Sequence, residues 1–348
     1  MKILHITHTD ITIDSRILKE LESISRNFSS SKVVGIGIYT DDNKMNNLEN
    51  VAIESIKLKT KKWIYIPRLL RYVLTFIELF TKLFLVGMKH KPNIIHCHDV
   101  LVLPVGSLIK IFNGSKLVYD AHELESKRAN LTKLFSKIIY VTEKIFWGAI
   151  DSLIVVSPSI QNWYEKFFSK KATEIVLNSP VIQKTESINE FDKNYLHEKY
   201  SIPLDKKIFI YIGILREGRG IEMILDTFKS DDIKSHVVFL GYGEMKNELI
   251  EISKKYSNIH VHDAVPHNLV VPVAKTADVG FCFIQNVSLS DYYCLPNKLF
   301  EYCFAEIPVL ASNFPDITKV VEKYGLGKCC SLELSNIYES IKEFENMQ

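Results

Sequence analysis

Short apolar runs rich in β-branched residues alternate along this chain with longer segments whose apolar residues recur at helical spacing. This alternation is typical of parallel α/β units. In the first half it predicts strands at 2–7, 32–39, 51–56, 93–96, 116–119, 152–156 and 174–177, and helices near 14–28, 68–90, 130–150 and 158–168. In the second half it predicts strands at 208–213, 236–240, 259–261, 279–283 and 309–311, and helices near 219–229, 244–256, 267–275, 297–305, 316–324 and 334–346.

A polar segment without a strand pattern, residues 183–207, separates the two halves and contains one short helical piece near 195–200. The pattern therefore predicts an N-terminal domain over 1–182, an interdomain connection over 183–207 and a C-terminal domain over 208–348. Both domains are expected to be doubly wound, Rossmann-like α/β domains. Ligands on such sheets bind outside the carboxyl ends of the strands, so we expect the two domains to face each other across a cleft.

Composition narrows the class of protein. A chain of 348 residues exceeds what one core usually organises, and 47% hydrophobic residues exclude a disordered chain. A formal charge of +2 argues against a dedicated nucleic-acid binder, which carries a strongly basic domain. The six cysteines form no CxxC pair, and the first residues lack the long apolar core of a signal peptide. We therefore expect a reduced, cytoplasmic protein.

The segment 295–309 carries a candidate nucleotide site. Pro296, Asn297 and Lys298 predict a helix start, and Glu301 follows one turn later. Free N–H groups and the positive dipole end of a helix N-terminus suit a phosphate. A carboxylate beside them can accept two hydrogen bonds from a ribose diol. The alternative is a solvent-facing glutamate on an ordinary helix.

Two glycine turns follow predicted strands of the second half. Gly213 ends a strand, and the loop after it contains Arg216 and then Arg219 between two glycines. Glycines let a backbone approach a ligand closely, and Arg219 could bind a pyrophosphate with a forked, charge-assisted contact. The pattern is neither GxGxxG nor a P-loop, so an exposed arginine on an ordinary turn stays open. Gly243 lies in the second turn, LGYGE. Glycine turns of this kind commonly connect a strand to a helix in α/β folds.

Polar residues also follow two predicted strands of the first half. They are Asp120, His122 and Glu123 after the strand at 116–119, and His96, His98 and Asp99 at the end of the strand before it. In this architecture such side chains point to the ligand side, where a histidine can donate to a sugar hydroxyl or orient a reacting group. The set could mimic a metal site, but no HxxxH or HExxH helix supports one, so we expect no metal.

The loop at 8–20 follows the first predicted strand. Asp14 can cap the following helix, and Arg16 lies in its first turn. Both are candidates for the acceptor side of the same sheet edge. A capping role alone is the alternative.

The segment 57–91 is distinct from any nucleotide site. It begins with lysines and arginines interleaved with aromatic residues and continues as a long helical pattern with a wide apolar face. Its charges exclude a simple membrane span. The apolar face could pack on the sheet, or the segment could form a peripheral surface for anionic lipid.

Taken in order, these motifs resemble the GT-B glycosyltransferases, specifically the large retaining family 4. The resemblance covers nearly the whole chain. It rests on DSRILKE, HCHD, YDAHELE, VVSPS, YIGILREGRG, LGYGE, HDAVP, TADVGFCFI and PNKLFEYCFAEIPVLAS. Each motif alone is weak, and their order and spacing make the resemblance specific.

The resemblance implies roles for individual residues. Glu301 would bind the nucleotide ribose, Arg219 the diphosphate, and residues 263–266, with Asp263 and Val265, would lie along the base. His122 would reach the donor sugar from the N-terminal domain. Residues 290–298 would hold sugar and phosphate through backbone N–H groups. We take His122, Arg219 and Glu301 as the catalytic candidates.

Two departures from the family pattern stand out. The family often has a second glutamate eight residues before the ribose one, where this chain has Tyr293. It also often has an arginine directly after the glycine that matches Gly213, where this chain has Ile214, with Arg216 close by. The usual hydroxyl contact to the donor sugar is therefore missing or replaced.

The predicted function is transfer of a sugar from a UDP- or GDP-linked donor to a glycan or lipid-linked acceptor, of the kind used for surface polysaccharide, in the manner of a hexosyltransferase. The resemblance implies retention of anomeric configuration, with front-face substitution steered by the leaving phosphate. Two rivals remain: a nucleotide-sugar 2-epimerase on the same fold, and a non-catalytic subunit that binds a partner glycosyltransferase. The enzyme is expected in the cytoplasm, with a peripheral position on the inner membrane face through residues 57–91.

Overall fold

The computed structural model describes residues 1–39, 48, 50–180 and 191–347. The chain divides into two compact units, Met1–Leu177 and Asn178–Gln348. Residues 181–182 of the predicted N-terminal domain and 183–190 of the predicted connection lie outside the described residues. From residue 191 onward the connection belongs to the second unit, where Leu196 and Ile202 are buried in the core.

The described part of the first unit is built on a seven-stranded parallel sheet with the order β3-β2-β1-β4-β5-β6-β7. Its strands are β1 (Lys2–Asp10), β2 (Lys32–Ile38), β3 (Val51–Ile56), β4 (Ile94–His98), β5 (Lys116–Ala121), β6 (Ser152–Val155) and β7 (Ala172–Ile175). Its helices are α1 (Ser15–Asn27), α2 (Arg68–His90), α3 (Leu103–Asn113), α4 (Lys133–Phe146) and α5 (Pro158–Phe167). The strand order reverses between β1 and β4.

The described part of the second unit has a six-stranded parallel sheet with the order β10-β9-β8-β11-β12-β13. Its strands are β8 (Ile208–Ile214), β9 (His236–Tyr242), β10 (Ile259–Asp263), β11 (Val279–Cys282), β12 (Val309–Ser312) and β13 (Gly327–Cys330). Its helices are α6 (Tyr195–Tyr200), α7 (Ile221–Phe228), α8 (Lys246–Ser253), α9 (His267–Ala274), α10 (Leu289–Tyr292), α11 (Asn297–Phe304), α12 (Pro315–Tyr324) and α13 (Leu334–Asn346). The strand order reverses between β8 and β11.

Alternate residues of β8 enter two separate core clusters of the second unit. Ile208, Ile210 and Ile212 pack in one cluster, and Phe209 and Tyr211 pack in the other. Because successive side chains of a strand point to opposite faces, the sheet is covered on both sides. This confirms the predicted class of two Rossmann-like α/β domains, one in each unit.

Three elements of the structure are absent from the sequence prediction. The segment of α3, LPVGSLIKIFN, is apolar on most of its circumference, so it lacks the amphipathic stripe that marks a surface helix. The strand β13 reads GKCC, with no β-branched residue, and α10 is a single turn. One predicted strand, 174–177, lies two residues earlier, at β7.

The helix α2 packs on the sheet only through its second half, where Leu83 is buried and a Cβ atom on Gly87 would lie 3.4 Å from Cδ2 of Leu4 on β1. Its polar stripe faces the segment before it: Glu78 accepts hydrogen bonds from the backbone N–H groups of Lys59 and Thr60, at 3.0 and 2.8 Å. Apolar side chains of its first half are exposed instead, among them Leu69, which is 78% exposed. No helix among the described residues is long and apolar enough to cross a membrane.

Candidate functional site

The donor-side candidates lie in the second unit, at the carboxyl edge where its strand order reverses. Gly220, with φ of +75°, forms the N-cap of α7. A Cβ atom on Gly220 would lie 2.8 Å from Cβ of Phe283, just after β11. Only glycine tolerates both this backbone angle and this approach, so the loop after β8 is drawn onto the end of β11. Arg219 is thereby held at the switch point of the sheet, where ligands of open α/β sheets bind.

Arg219 has an acidic neighbour in this structure. Its Nη1 lies 3.8 Å from Oδ1 of Asp291, and its side chain is 26% exposed. Asp291 is fixed by Ser288, whose Oγ donates to Oδ2 at 2.6 Å and accepts from the Asp291 backbone N–H at 3.1 Å. Asp291 therefore provides a carboxylate two residues before Tyr293, which stands where the family pattern has glutamate. The Asp291 side chain was not among the predicted site groups, because the family pattern points only to position 293.

The helix α11 carries three buried side chains into the same region. Glu301 is 6% exposed, so the alternative of a solvent-facing glutamate is wrong. Lys298 Nζ donates to the carbonyl of Phe283 at 3.3 Å and lies 4.0 Å from the centre of the Tyr211 ring. Tyr302 donates to the carbonyls of strands β8 and β11 and accepts from the N–H of Ile212. These contacts tie α11 directly to the two strands at the switch point.

Among the remaining donor-side candidates, Gly243 has a packing role and the others are exposed, half-buried or at the ends of elements. A Cβ atom on Gly243 would lie 2.2 Å from the Leu215 carbonyl oxygen, so this glycine lets the end of β9 press against the loop after β8. The others are Gly213 at the end of β8, the exposed Arg216, the 85% exposed Asp263 side chain, the half-buried Val265, the N-cap Pro296 and the half-buried Asn297. Asp263 is paired with Lys246 at 2.5 Å.

In the first unit the acceptor-side candidates converge on Asp120. Its fully buried carboxylate lies 3.0 Å from Nη2 of Arg16 and 3.3 to 3.4 Å from ring nitrogens of His96, His98 and His122. These residues come from α1, β4 and the end of β5, and the parallel pairing of β4 with β5 sets them side by side. The sequence therefore grouped these side chains correctly at one strand edge.

The network extends below the edge to residues that the sequence-based site did not include. His5 Nδ1 lies 2.9 Å from Nε2 of His98, and Glu20 Oε1 lies 3.2 Å from Nε of Arg16. His5 is completely buried on β1, the strand next to β4. The available signals were the alternation of side chains on β1 and the i,i+4 spacing of Arg16 and Glu20 on α1.

Asp99 has a strained backbone at the end of β4. Its φ of 69° and ψ of 163° fall in a region that is essentially restricted to glycine. Its N–H donates to the carbonyl of Asp120 at 3.0 Å, and its carboxylate oxygens lie 3.6 Å from Nδ1 of His122 and 3.7 Å from Nδ1 of His8. Such backbone strain persists only where the surrounding structure holds the residue in place. At Asp99 it keeps the carboxylate directed at His122.

Two other acceptor-side candidates lie outside this network. Asp14 is the N-cap of α1, and its Oδ1 accepts from the N–H of Ile17 at 3.3 Å. Glu123 is 53% exposed and lies 3.2 Å from Nε of Arg128. Neither contacts Asp120 in the described structure.

Burial and neighbouring charges shift the pKa values of the network's side chains in different directions. Burial alone would lower the pKa of His122, but the hydrogen bond and negative charge of Asp120 outweigh it and raise that pKa to about 9. Burial, reinforced by Asp120, raises the pKa of Glu20 to about 7. Burial and the neighbouring His96 lower the pKa of His98 to about 3. At neutral pH His122 is therefore cationic and the buried His98 is neutral.

Two sets of these residues have ligand atoms close enough together to bind one metal ion. Ligand atoms of His5, Glu20, His96 and His98 lie within 4.8 Å of one another, and so do those of His98, Asp120 and His122. Arg16 already contacts both carboxylates of these sets, through Nε to Glu20 and Nη2 to Asp120.

We expect the first unit to lose stability as pH rises. His122 has a folded pKa above its ordinary 6.5, so its contribution is complete below pH 6.5 and is lost as pH passes 9. Glu20 acts in the same direction between pH 4.5 and about 7. Urea unfolding followed by tryptophan fluorescence should show this decline between pH 6.5 and 9, because all three tryptophans lie in the first unit. In His122→Gln the decline over this range should flatten, and an unchanged slope would contradict the assignment.

Comparison with known proteins shows which family the second unit resembles. Residues 192–346 match the family model of glycosyl transferases group 1. The putative teichuronic acid biosynthesis glycosyltransferase TuaC of Bacillus subtilis (strain 168) is 24% identical over 235 residues, 67% of this chain and 56% of that protein. The chain spans about half the length of the curated relatives that it matches.

Solved structures resemble the chain over nearly its whole length. Sucrose-phosphate synthase from Thermosynechococcus elongatus has a TM-score of 0.76 at 15% identity, covering 99% of this chain and 89% of that one. HepE from Anabaena in complex with UDP has a TM-score of 0.70 at 13% identity, with the same coverages. At identities this low, the structural similarity establishes a shared fold and nothing more. The chain therefore has the GT-B fold, and residues 192–346 of its second unit are similar to the glycosyl transferases group 1 family.

Proposed function

We propose that this chain is a glycosyltransferase that moves a sugar from a nucleoside-diphosphate sugar to an acceptor. The observation that carries the proposal is Arg219, fixed at the carboxyl edge of β8 and β11 in the unit that matches the family. A guanidinium there suits a diphosphate, which it can contact through two parallel hydrogen bonds. The buried Glu301 on the adjacent helix α11 suits a ribose diol.

In the proposed reaction the protein acts by positioning and electrostatics. The bond between the anomeric carbon and the diphosphate breaks, and negative charge develops on the leaving phosphate. Arg219 and backbone N–H groups of residues 290–298 stabilise that charge. The acceptor hydroxyl attacks from the same face, so the anomeric configuration is retained, and its proton passes to the leaving phosphate. His122, cationic at neutral pH, donates a hydrogen bond to the donor sugar.

Asp291 takes the place of the glutamate that the family pattern has at position 293. Its Oδ1 lies 3.8 Å from Nη1 of Arg219, so a bound diphosphate would compete with it for the guanidinium. Release of Asp291 would free a carboxylate that can accept from a sugar hydroxyl. The ion pair thus keeps Arg219 near its working position before the donor arrives.

The donor we propose is linked to UDP or GDP, and the HepE structure with UDP favours UDP. A thermal-shift screen against UDP, GDP and their sugars tests it, since a ligand that binds only the native state raises the melting temperature. Slow release of UDP or GDP from the matching donor without acceptor supports a transferase. A shift without release from any donor would point to the non-catalytic subunit, and interconversion of free donor sugars to the epimerase.

We propose that the reaction needs no metal. Arg16 and the cationic His122 supply positive charge around Asp120, and Arg219 supplies it at the diphosphate. Donor hydrolysis should be unchanged after treatment with EDTA and restoration of the buffer. A loss of activity that zinc or magnesium reverses would contradict this proposal.

We further propose a glycan or lipid-linked acceptor, a surface-polysaccharide precursor, used at the cytoplasmic membrane face. The relationship to TuaC, named for teichuronic acid biosynthesis, supports the polysaccharide part. The exposed surface of segment 57–91 supports the membrane part. It presents Ile64 at 82% and Tyr65 at 78% exposure beside exposed lysines 59, 61 and 62. Apolar and aromatic side chains with basic flanks are what an anionic bilayer surface binds.

Flotation with liposomes that contain anionic lipid tests this surface. Wild-type protein should float, and charge reversal at Lys59, Lys61 and Lys62 should abolish recovery, because about 1 kcal/mol of attraction is lost per removed charge. A matched control reverses Lys193, Lys255 and Lys323, which are exposed in the second unit. Flotation that both triple variants retain equally would contradict an electrostatic membrane surface at 57–91.

A further inference from the structure

A separate concave surface lies between α4 and α5 of the first unit. It encloses about 400 Å³, within the range of small-molecule sites. Its aromatic lining is Tyr140, Trp163 and Phe167, and three lysines line it as well: Lys127, Lys133 and Lys137. The Tyr140 and Trp163 rings are perpendicular with centroids 6.3 Å apart, and those of Trp163 and Phe167 are 4.9 Å apart. We refer to this surface as the α4–α5 pocket.

The three lysines carry charge that the protein does not neutralise. All three are exposed, and within the described residues none forms an ion pair or a hydrogen bond through its ammonium group. Glu125 is buried at 2% exposure and lies 3.3 Å from Arg128, and Glu123 is also paired with Arg128. Three uncompensated positive charges around one pocket favour an anion.

An unpartnered apolar stripe continues from the pocket along α4. Leu134, Ile138, Val141 and Ile145 follow the i, i+4, i+7, i+11 spacing of one helix face, and their exposures are 65, 49, 41 and 68%. A surface helix normally turns such a stripe toward the core. On α4 the inner side instead carries Glu143, which is buried and bonded to the hydroxyls of Tyr119 and Tyr164. The apolar stripe is therefore left outside.

We propose that the α4–α5 pocket binds the phosphate headgroup of an anionic membrane phospholipid, with α4 lying in the interface and its apolar stripe against the acyl chains. The pocket supplies cations for the phosphate and aromatic rings of the kind that settle at headgroup depth. The stripe supplies the apolar contact that a free anion does not need. This rests on the proposed membrane association but uses residues outside segment 57–91.

The position of the pocket along the chain connects it to the proposed reaction. Lys127 belongs to the connection that leaves β5, the strand whose end carries Asp120 and His122, and Lys133 is the first residue of α4 after it. Lys127 follows His122 by only five residues. A headgroup held there would anchor the sheet edge that carries His122 at the membrane surface, where a lipid-linked acceptor is found.

Binding of a monomeric short-chain lipid tests the pocket independently of flotation and turnover. Dihexanoyl phosphatidylglycerol below its micellar concentration should change the fluorescence of Trp163 saturably, and Trp163→Phe identifies that signal. Charge reversal at Lys127, Lys133 and Lys137 should weaken binding about 100-fold or more, given roughly 1 kcal/mol per basic residue at an anionic surface. The matched control, with Lys193, Lys255 and Lys323 reversed, should bind like wild type.

Four results would overturn the proposal. One is no lipid response in wild type, and a second is binding by the lysine-reversed variant that equals wild type. A third is an equal response to inorganic phosphate, which would indicate a free-anion site. The fourth is a wild-type dimer in light scattering that the double substitution Leu134→Gln and Ile138→Gln converts to monomer, because the stripe would then be covered by a second copy. Donor hydrolysis by the same variants reports separately on the proposed transferase, since these residues lie outside its donor site.

Discussion

Replacing Arg219 by alanine should lower the rate of sugar transfer about 100- to 1000-fold, the cost of removing one preorganised group that stabilises charge in a transition state. The donor should still bind, because Glu301 and the backbone of α11 remain. The effect should therefore appear mainly in kcat. Steady-state kinetics with the donor identified by thermal shift measures it.

Three further variants locate that effect. Arg219→Lys keeps the charge but not the planar fork, so it should recover only part of the rate. Arg216→Ala, at an exposed arginine in the same loop, decides which arginine serves the diphosphate. Asp291→Asn should lower the rate less than Arg219→Ala, because it loosens the guanidinium without removing it. If Arg219→Ala stays within twofold of wild type while Arg216→Ala does not, the diphosphate assignment moves to Arg216.

Replacing Glu301 by alanine should weaken nucleotide binding about 10- to 100-fold, since hydrogen bonds to a charged acceptor contribute roughly 1.5 to 3 kcal/mol each. Titration calorimetry with the free nucleoside diphosphate measures the change. Free phosphate or pyrophosphate should bind the variant as it binds wild type, because neither has a ribose. That contrast separates loss of the ribose contact from general damage to the site.

The control for Glu301 must address its burial at 6% exposure. Glu301→Gln keeps the side-chain volume and one acceptor oxygen, so it should fold normally and bind the nucleotide with intermediate affinity. A melting temperature equal to wild type would show that α11 still packs through Tyr302. If Glu301→Ala left both nucleotide affinity and turnover intact, the donor site would lie elsewhere.

Much of the donor side could be anticipated from the sequence because its signals are local. Gly220 must adopt a left-handed backbone at the start of α7, and Pro296 and Asn297 begin a helix whatever packs around them. The burial of Glu301 was not a local property. It depends on the way Tyr302, one residue later, locks α11 against β8 and β11, and no spacing in the sequence encodes that contact.

On the acceptor side, the sequence predicted part of the network, and tertiary contacts supplied the rest. The rule that strand ends share one edge brought Asp120, His98 and His122 together in advance. It did not include Glu20, which reaches the edge from α1, or His5, which lies one strand away and meets His98 only because β1 pairs with β4. The strain at Asp99 is likewise a backbone property that residue identity does not reveal.

By itself, the sequence determined the two parallel-sheet domains, because hydrophobic periodicity and glycine turns are set by backbone geometry over a few residues. It also determined which strand ends carry polar side chains. Only the tertiary structure decided the direction in which α2 and α4 present their apolar residues, the partner of Arg219, and the protonation of the Asp120 network. Each of these depends on burial and on charges that are distant in the chain, and long-range packing brings them within a few ångströms.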